Sequence, residues 1–89
     1  MKYLRWSFET TNTFKRNYKK LSSEIKDRVN KALEDLSNTE DPRTLGEAKY
    51  GKWKGAYGYD IGRQYRILYG VDFKTRSIIL LSVGLHKIY

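Results

Sequence analysis

Residues 77–83, Ser-Ile-Ile-Leu-Leu-Ser-Val, form the most strongly apolar run of this chain. The run is far shorter than the roughly 20 apolar residues that span a bilayer. Its length and β-branched content read as a strand. A strand that is apolar on both faces must be covered on both, so this one is expected in the interior of a sheet. Its partners are legible upstream. Tyr65 to Val71 reads as a strand, with Asp72 to Arg76 as the turn between the two. Tyr57 to Ile61 reads as extended, and Gly62-Arg63-Gln64 as a turn. Three late strands joined by short turns make an antiparallel meander.

The first half supplies cover for that sheet. Lys2 to Glu9 alternates, with Leu4, Trp6 and Phe8 on one face and Arg5 and Ser7 on the other, as a half-buried strand does. Thr10-Thr11-Asn12 can cap a helix, in which Phe14, Tyr18 and Leu21 fall at helical spacing. The opposite face of that helix carries Lys15, Arg16, Lys19 and Lys20 without an acid. Ser22-Ser23 ends it and caps a second helix, with the apolar stripe Ile25, Val29, Leu33 and Leu36. Ser37-Asn38 and Asp41-Pro42 end the second. The short break predicts an antiparallel helix hairpin. Arg43 to Gly55 is loop-like, with a short strand near Ala48–Tyr50. The expectation is an α+β fold of order β-α-α-β-β-β, with both helices on one face of the sheet. No repeat, low-complexity segment or linker interrupts it, so residues 1–89 read as one domain.

Composition narrows the function. A chain of 89 residues buries a modest share of its surface, so its stability is expected to be marginal unless a partner helps. Cysteine is absent, which excludes disulfides and thiolate metal sites. Met1 to Asn12 holds no apolar run fit for a signal peptide, so a cytoplasmic location is expected, with no membrane partner. The net charge of +8 calls for a polyanionic partner. The charge is unevenly spread: from Ala48 onward there are eight basic residues and only the acids Asp60 and Asp72. Six of the eight tyrosines lie in that half. Cations interleaved with aromatic rings suit single-stranded nucleic acid, because phosphates need positive charge and unstacked bases need π faces. Tyr57 and Tyr59 are candidates for such contacts, although tyrosine is also a good strand residue.

One histidine and no spaced carboxylate set leave metal catalysis without ligands, and no cofactor is implied. Neither GxxxxGK[ST] nor GxGxxG occurs. What remains is metal-free chemistry on a phosphodiester. It needs a cation on the phosphate, a base for the 2′-OH and an acid for the leaving oxygen. Arg66 interrupts an apolar strand. If the helices pack on the Ile67 and Val71 side, Arg66 points to the open face and can fork a phosphate. It can equally be a solvated strand arginine, or one paired with Asp60. His86 is the only residue whose unperturbed pKa lies near neutrality, with Lys87 and Tyr89 beside it. Tyr89 can stack, donate a hydrogen bond or cap the core. Glu47 can act as a base or stand as a surface group. Lys52, Trp53, Lys54 and Arg63 are candidate loop contacts to nucleic acid, or solvated surface.

These residues resemble the RelE/ParE superfamily of toxin–antitoxin toxins along nearly the whole chain. The resemblance rests on Asp41-Pro42-Arg43-Thr44-Leu45-Gly46, Gly55-Ala56-Tyr57, Tyr65-Arg66-Ile67-Leu68-Tyr69 and Ser82-Val83-Gly84-Leu85-His86-Lys87-Ile88-Tyr89, in that order and spacing. In the RelE branch it implies a ribosome-dependent endonuclease that cuts mRNA by metal-free 2′-OH attack and so inhibits translation. Arg66 would then stabilise the phosphate. His86 and Tyr89 would position RNA and move protons, and Glu47 would be the base. Lys52, Lys54, Arg63, Lys87, Tyr57 and Tyr59 would hold RNA. The implied partners are the ribosome with its mRNA and a cognate acidic, RelB-like antitoxin, joined to the toxin in a heterotetramer. The chain departs from the pattern at Tyr57-Gly58-Tyr59-Asp60, where many relatives carry alternating basic residues and Asp60 has the opposite sign. Lys52, Lys54 and Arg63 are the candidates to restore that charge. The departure raises the ParE-branch alternative, inhibition of DNA gyrase, and beyond it a non-toxic basic binding module of the same fold.

Overall fold

The computed structural model describes residues 5–85. The elements run β1 (Ser7–Thr10), α1 (Asn12–Lys19), α2 (Ser23–Asn38), β2 (Glu47–Ala48), β3 (Tyr57–Ile61), β4 (Tyr65–Asp72) and β5 (Ser77–Leu85). This is the expected α+β order, with β2 as the short strand of the Arg43–Gly55 loop. The five strands lie in the order β1-β5-β4-β3-β2. All neighbours are antiparallel except β1 and β5, which pair in parallel from Ser7↔Ser77 to Thr10↔Leu80. The apolar strand β5 is therefore bonded on both sides, as its composition requires.

Local chemistry starts each helix where the sequence indicates. The Thr11 hydroxyl accepts from the Phe14 amide, and the Ser22 hydroxyl accepts from the Ile25 amide. Each satisfies an amide that the first helical turn leaves without a partner. Thr11 does a second task, because its hydroxyl also lies 2.8 Å from the Leu80 carbonyl and ties the start of α1 to β5. Beyond Leu80, β1 has ended. The Val83 amide is there taken up by the Asn17 side chain of α1 at 3.2 Å. A bulge falls at the same place, since Leu68 pairs with Ser82 but Tyr69 pairs with Leu80.

The core lies between the helices and one sheet face. Phe14, Val29, Ala32 and Leu36 meet Ile61, Ile67, Tyr69, Ile78, Leu80 and Val83, with Trp6 at one end. The first strand is shorter than the alternation predicts. Among the described residues it begins at Ser7, and Lys2 to Leu4 lie outside them. The reason is a change of partner. The Arg5 amide bonds the Ser37 carbonyl at the end of α2, and the Trp6 indole donates to the Thr39 carbonyl, each at 2.9 Å. Among the described residues the backbone therefore joins β5 from Ser7 onward, past Arg5 and Trp6. The short strand expected near Ala48–Tyr50 falls at Glu47–Ala48, paired with Gly58 and Tyr57. Among the described residues no helix is long and apolar enough to cross a membrane.

Candidate nucleic-acid interface

Strand alternation decides which side chains share a face. On β4, Ile67 and Tyr69 enter the core, so Arg66 and Leu68 point to the opposite, helix-free face. Asp60 lies directly across from Arg66, Gly58 across from Leu68, and Glu47 across from Gly58. On the far side, Gly84 faces Arg66 and Ser82 faces Leu68. The register thus gathers Glu47, Asp60, Arg66 and Ser82 on one side of the sheet.

Arg66 is only 6% exposed, although the helices are on the other side. Its Nε donates to Asp60 Oδ1 at 2.7 Å, and the Asp60 side chain is half exposed. The open-face and Asp60-paired readings of Arg66 therefore coexist, and the solvated reading does not hold. A buried guanidinium needs such a partner, because desolvating an unpaired charge is strongly unfavourable.

A second cation reaches the same spot. A Cβ built on Gly58 would lie 2.7 Å from both Arg66 Cδ and Lys49 Cε. The two alkyl stems therefore cross above Gly58 and occupy the space a larger residue would fill. Lys49 follows β2 directly, and its amide bonds the Ala56 carbonyl at 2.9 Å, which extends the β2–β3 pairing by one step. Apart from its charge, nothing in the sequence around Lys49 marks it. Ser82 was also missed. Its hydroxyl is buried on the same face and has no hydrogen-bond partner among the described residues.

The other sequence candidates scatter. Glu47 is exposed and shares the Arg66 face at the β2 edge. Lys52 and Lys54 are exposed in the β2–β3 connection, where Lys52 lies 5.3 Å above the Trp53 ring. Arg63 is exposed in the β3–β4 turn and lines a hollow of about 390 Å³ with Ile25 and Arg28 of α2. Tyr57 and Tyr59 pack against the core on the helix-covered face, and Tyr57 lies 5.9 Å from the Tyr69 ring. Their alternation with Gly58 and Asp60 turns them away from Arg66, which corrects their grouping with the RNA contacts. Burial, and then the nearby Asp35 carboxylate, raise the Tyr59 pKa. His86, Lys87 and Tyr89 lie outside the described residues.

The loop that delivers Glu47 is anchored to the same strand as Arg66. Asp41 caps the turn Pro42–Thr44 by accepting from the Arg43 amide at 3.0 Å, and Arg43 forks its carboxylate. The Arg43 hydrogen bond holds the Asp41 pKa below its usual value. The buried Tyr69 hydroxyl donates to the Pro42 carbonyl at 2.6 Å. A Cβ on Gly46 would strike that hydroxyl, so glycine is required there.

Comparisons with known proteins bear on the family and the fold. The family model for a ParE-like toxin of type II bacterial toxin–antitoxin systems matches residues 8–89. The chain belongs to that family. A chain of the RelBE2 toxin–antitoxin complex from Mycobacterium tuberculosis is 26% identical to this ParE-like toxin. That match covers 93% of this chain and 100% of the other, at a TM-score of 0.80. A chain of the intact Escherichia coli RelBE complex shares the fold at 18% identity, covering 89% and 94% of the two chains, at a TM-score of 0.72. The YoeB–YefM complex from Staphylococcus aureus does so at 20% identity, covering 92% and 98%, at 0.73. No curated protein sequence matches the chain.

Proposed function

We propose that this ParE-like toxin is a ribosome-dependent mRNA endonuclease that inhibits translation by metal-free attack of a 2′-OH on the adjacent phosphate. The observation that carries the reading is the buried Arg66 guanidinium, presented from a central strand on the face the helices leave open. A guanidinium fixed in this way needs little reorganisation to meet charge growing on a phosphoryl oxygen. Glu47, exposed on the same face, is the base for the 2′-OH. His86 and Tyr89 are the groups that move protons and position RNA. Lys52, Lys54, Arg63 and Lys87 supply further backbone contacts. The reaction takes place on cytoplasmic ribosomes. An acidic RelB-like antitoxin, partly disordered when free, covers the basic surface in a heterotetramer. One of the similar structures, YoeB–YefM from S. aureus, is itself described as heterotetrameric.

Primer extension on mRNA in a purified translation system tests this. Cuts that need ribosomes and fall at least 100-fold in Arg66→Ala are expected. One observation favours the gyrase alternative: Asp60 already offsets the Arg66 charge. Absence of cuts from folded, antitoxin-binding protein, together with inhibited DNA supercoiling by gyrase, would establish that alternative.

A further inference from the structure

We propose that Lys49 is the second phosphate-binding cation of this site, delivered across Gly58 onto the same phosphodiester that Arg66 contacts; the assignment rests on the endonuclease reading. β3 itself offers no cation on this face. Its residues there are Gly58 and Asp60, one without a side chain and one of the wrong sign. The missing side chain at Gly58 is what lets Lys49 in. Its Cε and the Arg66 Cδ approach the same point to 2.7 Å, so the two stems pack together.

The electrostatics of the pair call for an anion. Arg66 is compensated by Asp60 at 2.7 Å. Lys49 is half-buried, and among the described residues neither Glu47 nor Asp60, nor any other carboxylate, pairs with it. With the Arg66 charge already met by Asp60, the Lys49 ammonium is the positive charge of the pair left to meet an incoming anion. Lys52 and Lys54, the charges the sequence puts forward, are exposed on the β2–β3 connection, where Lys52 lies over the Trp53 ring. Lys49 is placed by the extra rung of backbone pairing to Ala56, so its stem starts from a fixed point. The ammonium has three donors on a flexible end and can follow the phosphate as its geometry changes, whereas the Arg66 fork is fixed.

The test is the single-turnover cleavage rate of ribosome-bound mRNA by wild type, Lys49→Met, Lys49→Arg, Lys74→Met and Arg66→Ala, Lys74 being an exposed lysine of the β4–β5 turn. Methionine keeps the stem that packs over Gly58 and removes the charge, so folding, checked by thermal melting, is retained. Lys49→Met is expected to cut at least 30-fold more slowly, Lys49→Arg within about fivefold of wild type, and Lys74→Met within twofold. A Lys49→Met rate equal to that of Lys74→Met, while Arg66→Ala is inactive, overturns the Lys49 assignment and leaves the endonuclease reading standing. So does a Lys49→Arg rate as low as that of Lys49→Met. No cleavage by wild type overturns the endonuclease reading, and this assignment falls with it.

Discussion

Replacing Tyr69 with phenylalanine removes one oxygen from a fully buried position and leaves the ring in place. The hydroxyl donates to the Pro42 carbonyl at 2.6 Å, and Tyr69 is 0% exposed. No cavity larger than the oxygen is created, so packing contributes little. The loss is the hydrogen bond, with a carbonyl left short of a partner, about 2 kcal/mol together. For a domain of this size that lowers Tm by roughly 8–16 °C. Urea denaturation should show a lower midpoint at unchanged slope. The Thr44 and Leu45 amides, whose acceptors are in the Asp41–Pro42 turn, should exchange faster with solvent. The pH dependence has a definite sign. Burial raises the Tyr69 pKa far above that of a free tyrosine. The folded state thus holds the proton longer than the unfolded one. Its contribution is complete below the unfolded value, roughly 10, and is lost as pH rises beyond it. The phenylalanine variant should lose that part of its alkaline sensitivity. A destabilisation under about 0.5 kcal/mol would refute the reasoning, because water would then satisfy Pro42 as well as the hydroxyl does.

Three further substitutions probe the helix-free face. Gly58→Ala puts a Cβ 2.7 Å from the flexible Lys49 stem and from the buried, Asp60-bonded Arg66 stem, so the chain should still fold but lose about 1–3 kcal/mol of stability. Displacement of Lys49 and Arg66 should nevertheless slow cleavage at least tenfold; an unchanged rate would show that the stem crossing is dispensable. Asp60→Asn keeps an acceptor for Arg66 Nε and removes the negative charge. Because Asp60 is half exposed, the stability loss should stay under about 1 kcal/mol. Cleavage should accelerate severalfold, and a rate at or below wild type would mean that Asp60 orients Arg66 instead of competing with the phosphate. Ser82→Ala removes a buried hydroxyl that has no partner among the described residues, so equilibrium unfolding should show equal stability or a gain of about 1 kcal/mol. A clear loss of stability would reveal a partner for it.

The fold was largely legible because its signals are local and repeat. Thr11 and Ser22 cap where the sequence places caps, and the Phe14 and Val29 stripes face the sheet as their spacing requires. The apolar content of β5 foretold that it would be bonded on both sides. The shortened first strand was not legible. Leu4, Trp6 and Phe8 alternate as a strand does, but alternation does not reveal that the Arg5 amide bonds α2. Competition for one backbone donor between elements 32 positions apart in sequence leaves no periodic trace.

The site was legible only where strand phase sets it. Alternation along β4 placed Arg66 opposite Ile67, and the same alternation along β3 placed Tyr57 and Tyr59 with the core. Tyrosine content suggested a stacking surface because composition carries no phase; the phase came from Gly58 and Asp60 between the two rings. Lys49 escaped for a different reason. A cation that reaches its target across a neighbouring strand is announced by the gap it crosses, here a glycine, and not by its own position. Gly58 looked like a missing basic residue on β3. It is better understood as the opening through which the β2–β3 connection supplies that charge, so the sign of a site cannot be counted strand by strand. In this face Asp60 and Gly58 act together: the acid offsets the Arg66 charge, and the gap brings a second cation to restore the positive charge that the acid removes.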